Sequence, residues 1–455
     1  MTKHERDDDA HPHTGMIPAA TGLIPIPTGV VPVSDRVRGA SRETASEHRG
    51  DQLSSARRLA YVLLLGALTA LGPFTVDLYL PAFPLLESEF GVGEAAVQLT
   101  LTGTMIGFAL GQLVAGPLSD AVGRRWPLLI GTALHVVSTT IAVFAPSIEM
   151  LGVARVLMGV GAAAGGVVAM ATVRDLFGGR RLAIMLSRLA LVTGAAPVIA
   201  PLIGSALLEV LPWRGIFVAL AGYGVAMLLF AIFSLPETRP KEDRATAETT
   251  SIRHRYRVVF SDRVYVGVLI IGAMTFSGLF SYLSSSSFLF QTGYGLSAMQ
   301  FGLIFAANSV GLIIGNQIAA RLAVRHGPQW VLAFSTAALL VSACAIPVCA
   351  QLIPSAWGVI VPLFLFMSSC GFTFPCAQVL ALDRHPDAAG TAASVLGAAN
   401  NGVAGLISPL VGVVSVWTAG ITPLSMASIM IACAIVGILA LWMIVRPRTL
   451  GQLGD

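Results

Sequence analysis

Apolar stretches of about 18 to 25 residues, separated by short polar or proline-rich breaks, recur along most of the chain, and each is long enough to cross a bilayer as a helix. They lie near 58–83, 95–117, 127–145, 149–173, 183–209, 214–235, 264–290, 298–322, 329–350, 355–381, 388–415 and 421–445. The pattern predicts an all-α integral membrane protein with twelve transmembrane helices. Two regions depart from it. Residues 1–56 carry the acidic run Asp7, Asp8 and Asp9. Met16 to Ser34 is moderately apolar, but Pro18, Pro25, Pro27 and Pro32 with Gly22 and Gly29 would break any helix there. A disordered tail is expected over 1–56. The polar stretch within 237–262 divides the spans six and six. The expected organisation is a bundle over 57–236, a linker over 237–262, a second bundle over 263–446 and a short tail over 447–455.

Composition excludes a soluble alternative. Apolar residues make up 55% and charged residues 11% of the chain, whereas a soluble protein carries about 25% charged residues to cover its surface. Lys and Arg exceed Asp and Glu by only four, in small clusters, so no nucleic-acid partner is expected. Cys344, Cys349, Cys370, Cys376 and Cys433 all fall in apolar runs. They read as small core residues, with no disulfide framework and no metal site. One set of alternate loops holds fifteen Lys and Arg residues and the other only Arg214. By the positive-inside rule both termini are cytoplasmic. Trp213 and Arg214 near the outer surface read as interfacial anchors.

The halves repeat one another. Gly107, Gly111 and Gly123 recur 204 residues later as Gly311, Gly315 and Gly327, and Gly194, Pro201 and Gly204 recur 208 residues later as Gly402, Pro409 and Gly412. Asp175 recurs as Asp383 at the second offset. Six spans separate the copies, so the repeat is parallel, about an axis along the membrane normal.

Local strings carry a family resemblance. Gly111-Gln-Leu-Val-Ala-Gly116-Pro117-Leu-Ser-Asp120-Ala-Val-Gly123-Arg124-Arg125, read as the loop after span two with Pro117 ending the helix, resembles the signature loop of the major facilitator superfamily. Asp77-Leu-Tyr79-Leu-Pro81-Ala-Phe-Pro84 resembles the span-one signature of its twelve-span drug:proton antiporters, of the Bcr/CflA type. Arg155-x-x-x-Gly159-x-Gly161 and Gly194-x-x-Pro197-x-x-x-Pro201-x-x-Gly204 resemble two further motifs of spans four and five, and Ala121, Met158 and Ala195 depart from the usual pattern. The resemblance implies two six-helix bundles of the major facilitator fold. It also implies a latch built from Gly111, Gly116, Pro117, Asp120, Gly123, Arg124 and Arg125, with Asp120 facing the start of span eleven.

Charge inside the spans is rare and therefore informative. Away from the helix ends only Asp77, Arg155 and His135 are ionisable, and a buried charge costs roughly 2.5–3.5 kcal/mol unless it meets a partner or a cavity. Asp77 and Arg155 lie at matching depth and form the expected proton-coupling pair. Alternatively, Asp77 sits at the outer mouth, where Pro81 and Pro84 end the helix early, and Arg155 is a structural donor to unwound backbone. His135 reads as a packing residue. Tyr79, Met158, Phe276, Phe280, Asn308, Asn400 and Asn401 are the expected substrate-cavity residues, with lipid-facing Phe and helix-to-helix Asn bonds as the other readings. Asp77 plus 204 is Ser281, so only one half carries the carboxylate. The expectation is proton-coupled efflux of small antibiotic-like compounds by a monomer in the bacterial cytoplasmic membrane, using the proton gradient and no cofactor. The alternatives are a proton-coupled nutrient importer and a non-transporting receptor. No nucleotide-binding loop or nucleophile elbow marks an enzyme.

Overall fold

The structure is a computed structural model and describes residues 54–239, 252–385, 389–418 and 420–449. The tail expected over 1–56, apart from its last three residues, lies outside the described residues, as do 240–251 of the expected linker and 450–455 of the expected C-terminal tail.

Among the described residues, twelve helices are long and apolar enough to cross a membrane. Spans one to six are Arg58–Phe90, Glu94–Val122, Arg125–Val143, Ile148–Leu176, Ile184–Leu208 and Trp213–Ser234. Spans seven to twelve are Arg263–Gly293, Ala298–His326, Pro328–Leu352, Trp357–Asp383, Gly390–Thr418 and Pro423–Thr449. Several overrun their apolar stretches, because backbone hydrogen bonding continues into polar sequence once a helix is established. Span two is the clearest case. Pro117 lies inside it, and the helix stops only at Gly123, which adopts φ 100°. Pro117 therefore does not end the span, and Asp120 is helical rather than in a loop. Proline removes one hydrogen bond there, near an exposed helix end where little depends on it. Within the expected linker, residues Ile252–Ser261 form a further helix.

The repeat is visible in the packing. Span two lies along span four, and span eight along span ten. A Cβ at Gly107 would sit 2.0 Å from the Val156 carbonyl oxygen, and one at Gly315 would sit 2.1 Å from the Ser368 carbonyl oxygen. Both crossings rely on bare backbone approaching backbone, the device that substitutes for hydrophobic driving force in lipid. The halves meet along spans two and eleven and along spans five and eight.

Among the described residues, core side chains form three clusters. The largest joins both halves, combining Val76, Tyr79 and Phe83 with Tyr282, Phe288 and Phe305, and it lies toward the end that carries Glu87, Glu89 and Glu94. Toward the Arg-rich end each half has its own cluster, Leu65, Leu128 and Phe177 in the first and Tyr265, Leu332 and Leu441 in the second. The shared apolar core thus lies at one end, and toward the other each bundle has a core of its own.

Two expectations need correction. Trp213, read as an interfacial anchor, is 2% exposed and packs against protein. Its indole N–H donates to Glu89, which also pairs with Arg214, while its ring packs between Phe90 and Phe217. Of the cysteines, Cys370, Cys376 and Cys433 are buried, Cys349 is intermediate and Cys344 is exposed. An apolar residue on an apolar outer surface needs no core position.

Just before span seven, Asp262 caps the helix by accepting from the Val264 N–H at 2.9 Å, and it accepts from Arg384 Nε at 2.6 Å. Partial burial opposes its ionisation. The Arg384 and Val264 hydrogen bonds, with the charges of Arg384 and His385, outweigh burial and hold the carboxyl below the usual range.

Candidate functional site

The site begins with a break in span one. Pro81 and Pro84 lack the N–H groups that would bond the carbonyls of Asp77 and Leu80. The helix Ser55–Asp77 therefore stops, a 3-10 turn covers Leu80–Ala82, and a second helix runs over Phe83–Phe90. In the repeat, Ser285 and Phe288 stand where those prolines would fall, and the helix Arg263–Ser287 continues without interruption into a π turn. Span one thus extends beyond its expected end at 83, and Asp77 sits at an internal break rather than six residues from the end of its helix.

Groups from four other spans close on this break. Arg155 Nη1 of span four donates to the Thr75 carbonyl at 2.6 Å, and its guanidinium carbon lies 3.8 Å from the centre of the Tyr79 ring. The Tyr79 hydroxyl is 3.2 Å from Thr100 Oγ1 of span two. Gln291 Nε2 of span seven donates to the Pro81 carbonyl at 3.0 Å. Gly204 of span five lies so close that a Cβ there would fall 2.0 Å from the Leu78 carbonyl oxygen.

Asp77 is 4% and Arg155 0% exposed. Asp77 Oδ1 has no hydrogen-bond partner, nor have Arg155 Nε and Nη2. The two side chains feel one another electrostatically, yet they form no ion pair within 4.0 Å. The direct partnership expected from sequence is thus replaced by a shared neighbourhood. The carbonyl of Thr75 and the face of Tyr79 take the guanidinium, leaving one carboxylate oxygen unengaged. Such a group is expensive when ionised and readily accommodated when protonated.

His135 of span three completes the surroundings. Its Nε2 lies 2.8 Å from Thr75 Oγ1, and that hydroxyl spends its single proton on the Leu71 carbonyl at 2.6 Å. Nε2 must therefore carry hydrogen and donate. Thr75 joins His135 and Arg155 to span one through its side chain and its carbonyl, a role no sequence signal marked beyond a threonine two residues before Asp77.

The expected cavity residues separate into distinct settings. Tyr79, Met158, Phe280 and Asn308 are buried, whereas Phe276, Asn400 and Asn401 are partly exposed. Phe276 packs on Phe280 and Phe374 with ring centres 4.7 and 5.8 Å apart. Asn308 donates to the Tyr282 hydroxyl at 3.0 Å and leaves its own Oδ1 unpartnered. Asn401 donates to Gln112 of span two at 3.3 Å and to the Gly397 carbonyl at 2.9 Å, a helix-to-helix bond across the halves. Asn400 Oδ1 is unpartnered and lies beside Gly272 of span seven.

The prolines of span five serve the same interface. Pro201 cannot donate to the Pro197 carbonyl, and Ser309 of span eight donates to it at 3.4 Å. Gly204 is in tight contact, whereas a Cβ at Gly194 would meet nothing within 4 Å.

At the Arg-rich end, Arg124 is 5% exposed. It donates to Asp120 at 2.6 Å and to Ser119 and Asp175 at 2.8 Å each, and Arg239 donates to Asp120 at 2.9 Å. Glu237 accepts from the backbone N–H groups of Arg124 and Arg125 at 2.9 and 3.3 Å, neutralising the start of span three. The partners of Asp120 belong to its own half, Arg124, and to the start of the expected linker, Arg239. The expected contact with the start of span eleven is not among its bonds, and residues 386–388, which precede that span, lie outside the described residues. Gly111 packs against Val160 and Ala163 of span four, and Gly116 lies 3.9 Å from Val167 by the same Cβ measure.

The Major Facilitator Superfamily model matches residues 63–409. The MFS-type transporter YdgK of Bacillus subtilis is 32% identical over 394 residues, covering 86% of this chain and 96% of that protein. A bicyclomycin resistance protein homolog of Haemophilus influenzae is 29% identical over 380 residues, covering 84% and 94%. Among solved structures, a bacterial homolog of the human lysosomal transporter Spinster superposes with a TM-score of 0.68 at 14% identity, covering 87% of this chain and 98% of that one, which speaks for the fold alone. The internal repeat, the twelve helices in two bundles and the match over most of the chain lead to one assignment: the protein belongs to the Major Facilitator Superfamily of transporters.

Proposed function

We propose that the protein exports small antibiotic-like compounds across the bacterial cytoplasmic membrane in exchange for protons, with both termini in the cytoplasm. The observation that carries this reading is Asp77, the one buried carboxylate among the described residues. It stands at a helix break where the halves meet, with Tyr282 of span seven within its electrostatic reach. A proton there neutralises a costly charge, and the bundle arrangement then sets which side exchanges it. Arg155 keeps the ionised form attainable. The bicyclomycin resistance relative supports an antibiotic as cargo. No cofactor is needed, and the functional unit is a monomer within lipid.

Expression in a pump-deficient bacterium should raise tolerance to at least one class of amphipathic antibiotic, and a protonophore should abolish the gain. Unchanged tolerance across a broad panel, or accumulation instead of exclusion, would overturn the reading, the latter in favour of an importer.

Orientation is testable separately. A cysteine placed within 240–251 should react with an impermeant maleimide only in opened cells, and one at Glu87 should react in intact cells. The reverse labelling would invert the assignment of inside and outside.

A further inference from the structure

Spans three and six touch where Gly224 meets Val136. A Cβ at Gly224 would lie 2.9 Å from Val136 Cγ2 and 3.4 Å from His135 Nδ1. At the Arg-rich surface the two spans are bridged again, by Arg125 Nη2 donating to the Ile232 carbonyl at 2.9 Å. Between these contacts lies a groove of about 520 Å³. Trp126, Leu129, Ile130 and Ala133, spaced three and four residues apart along span three, form one wall, and Leu228 and Ile232 of span six form the other. At 1.5 Å per residue the lined length of span three is about 10 Å. Trp126 is 65% and Ile130 62% exposed, so the groove opens sideways onto the outer apolar surface.

The two arginines of the signature string divide their work. Arg124 is turned inward to Asp120 and Asp175. The Arg125 guanidinium, at the mouth of the groove, has a carbonyl as its hydrogen-bond partner among the described residues and no carboxylate. Glu237 engages the Arg125 backbone N–H and not its guanidinium, which is left to face the groove mouth. A narrow apolar slot, a cation at its polar end and an exposed tryptophan at interfacial depth together match one chemistry: a hydrocarbon chain ending in an anionic headgroup.

We propose that this groove binds an anionic phospholipid of the leaflet at the Arg-rich end, with part of one acyl chain between spans three and six and its phosphate on Arg125. The bilayer supplies such molecules from the side, which is where the groove opens. A zwitterionic lipid would fill the slot equally well but would gain less from a guanidinium that has no carboxylate hydrogen bond.

The test uses the full chain in phosphatidylcholine vesicles, titrated with phosphatidylglycerol carrying brominated acyl chains. The tryptophan quenching lost in Trp126→Phe isolates the groove signal. That signal should rise in proportion to mole fraction for brominated phosphatidylcholine, which exchanges one for one with the host lipid, and should saturate early for brominated phosphatidylglycerol, whose affinity relative to the host is about fivefold higher, as one surface arginine near an anionic headgroup predicts. Arg125→Gln keeps a donor for Ile232 and should bring the two curves together. Ala133→Phe fills the slot and should remove the saturable component for brominated phosphatidylglycerol and lower the quenching by both lipids. Quenching that rises linearly and equally for both headgroups would overturn the proposal. Saturation unaffected by Ala133→Phe would do the same. Displacement of the signal by a soluble amphipathic cation but not by unbrominated phosphatidylglycerol would assign the groove to cargo and overturn it as well.

Discussion

Asp77→Asn is expected to abolish proton-driven accumulation against a gradient while leaving downhill exchange of the same compound in place. Asparagine copies the size and polarity of the protonated acid but cannot ionise, so the protein is held in one of its two charge states. Asp77 is the one buried carboxylate among the described residues, and its Oδ1 already lacks a partner, so the amide replaces it without breaking a bond to that atom. The fold should survive, and retained exchange would confirm that it has. Each proton entering supplies about 2.3 kcal/mol per 100 mV, and without a titrating group that energy cannot be transmitted. In everted vesicles the parent should respond to an imposed pH gradient and the variant should not. Equal uphill transport by parent and variant would remove Asp77 from the coupling step.

The second large effect is expected at Gly204. A Cβ there would stand 2.0 Å from the Leu78 carbonyl oxygen, which belongs to the backbone of the break and cannot rotate away. Spans one and five would have to separate by more than about 1 Å, and overpacking of this kind costs about 1–3 kcal/mol. The displaced backbone carries Asp77 and Tyr79, so Gly204→Ala should lower transport by roughly tenfold or more. Gly194→Ala is the matched control. It belongs to the same motif and the same helix, yet its Cβ meets nothing within 4 Å, and transport should stay near the parental rate. Loss of function in both variants would point to helix flexibility instead of close approach. Retention in both would show that the break tolerates displacement.

Much of this molecule is legible in its sequence, for reasons of solvent. A span must be apolar over its whole length, because lipid offers its backbone and side chains no alternative partner. The twelve spans and the repeat can therefore be read from local composition and spacing. The same reasoning marks Asp77, Arg155 and His135, since a charge or an imidazole in hydrocarbon stands out without any structural knowledge.

What those groups touch was decided only by the tertiary structure. The sequence pairs Asp77 with Arg155 by sign and depth, but the guanidinium settles on the Thr75 carbonyl and the Tyr79 ring, on either side of the end of the helix Ser55–Asp77. Pro117 carries the same proline signal and ends nothing, since the helix around it is held by its packing along span four. Gly194 and Gly204 look equivalent in the motif, and only the packing of span five against the break separates them. Hydropathy is a property of each residue with its solvent and is written locally. Contacts between helices are properties of pairs that lie far apart in the chain, and they exist only once the bundles have closed around them.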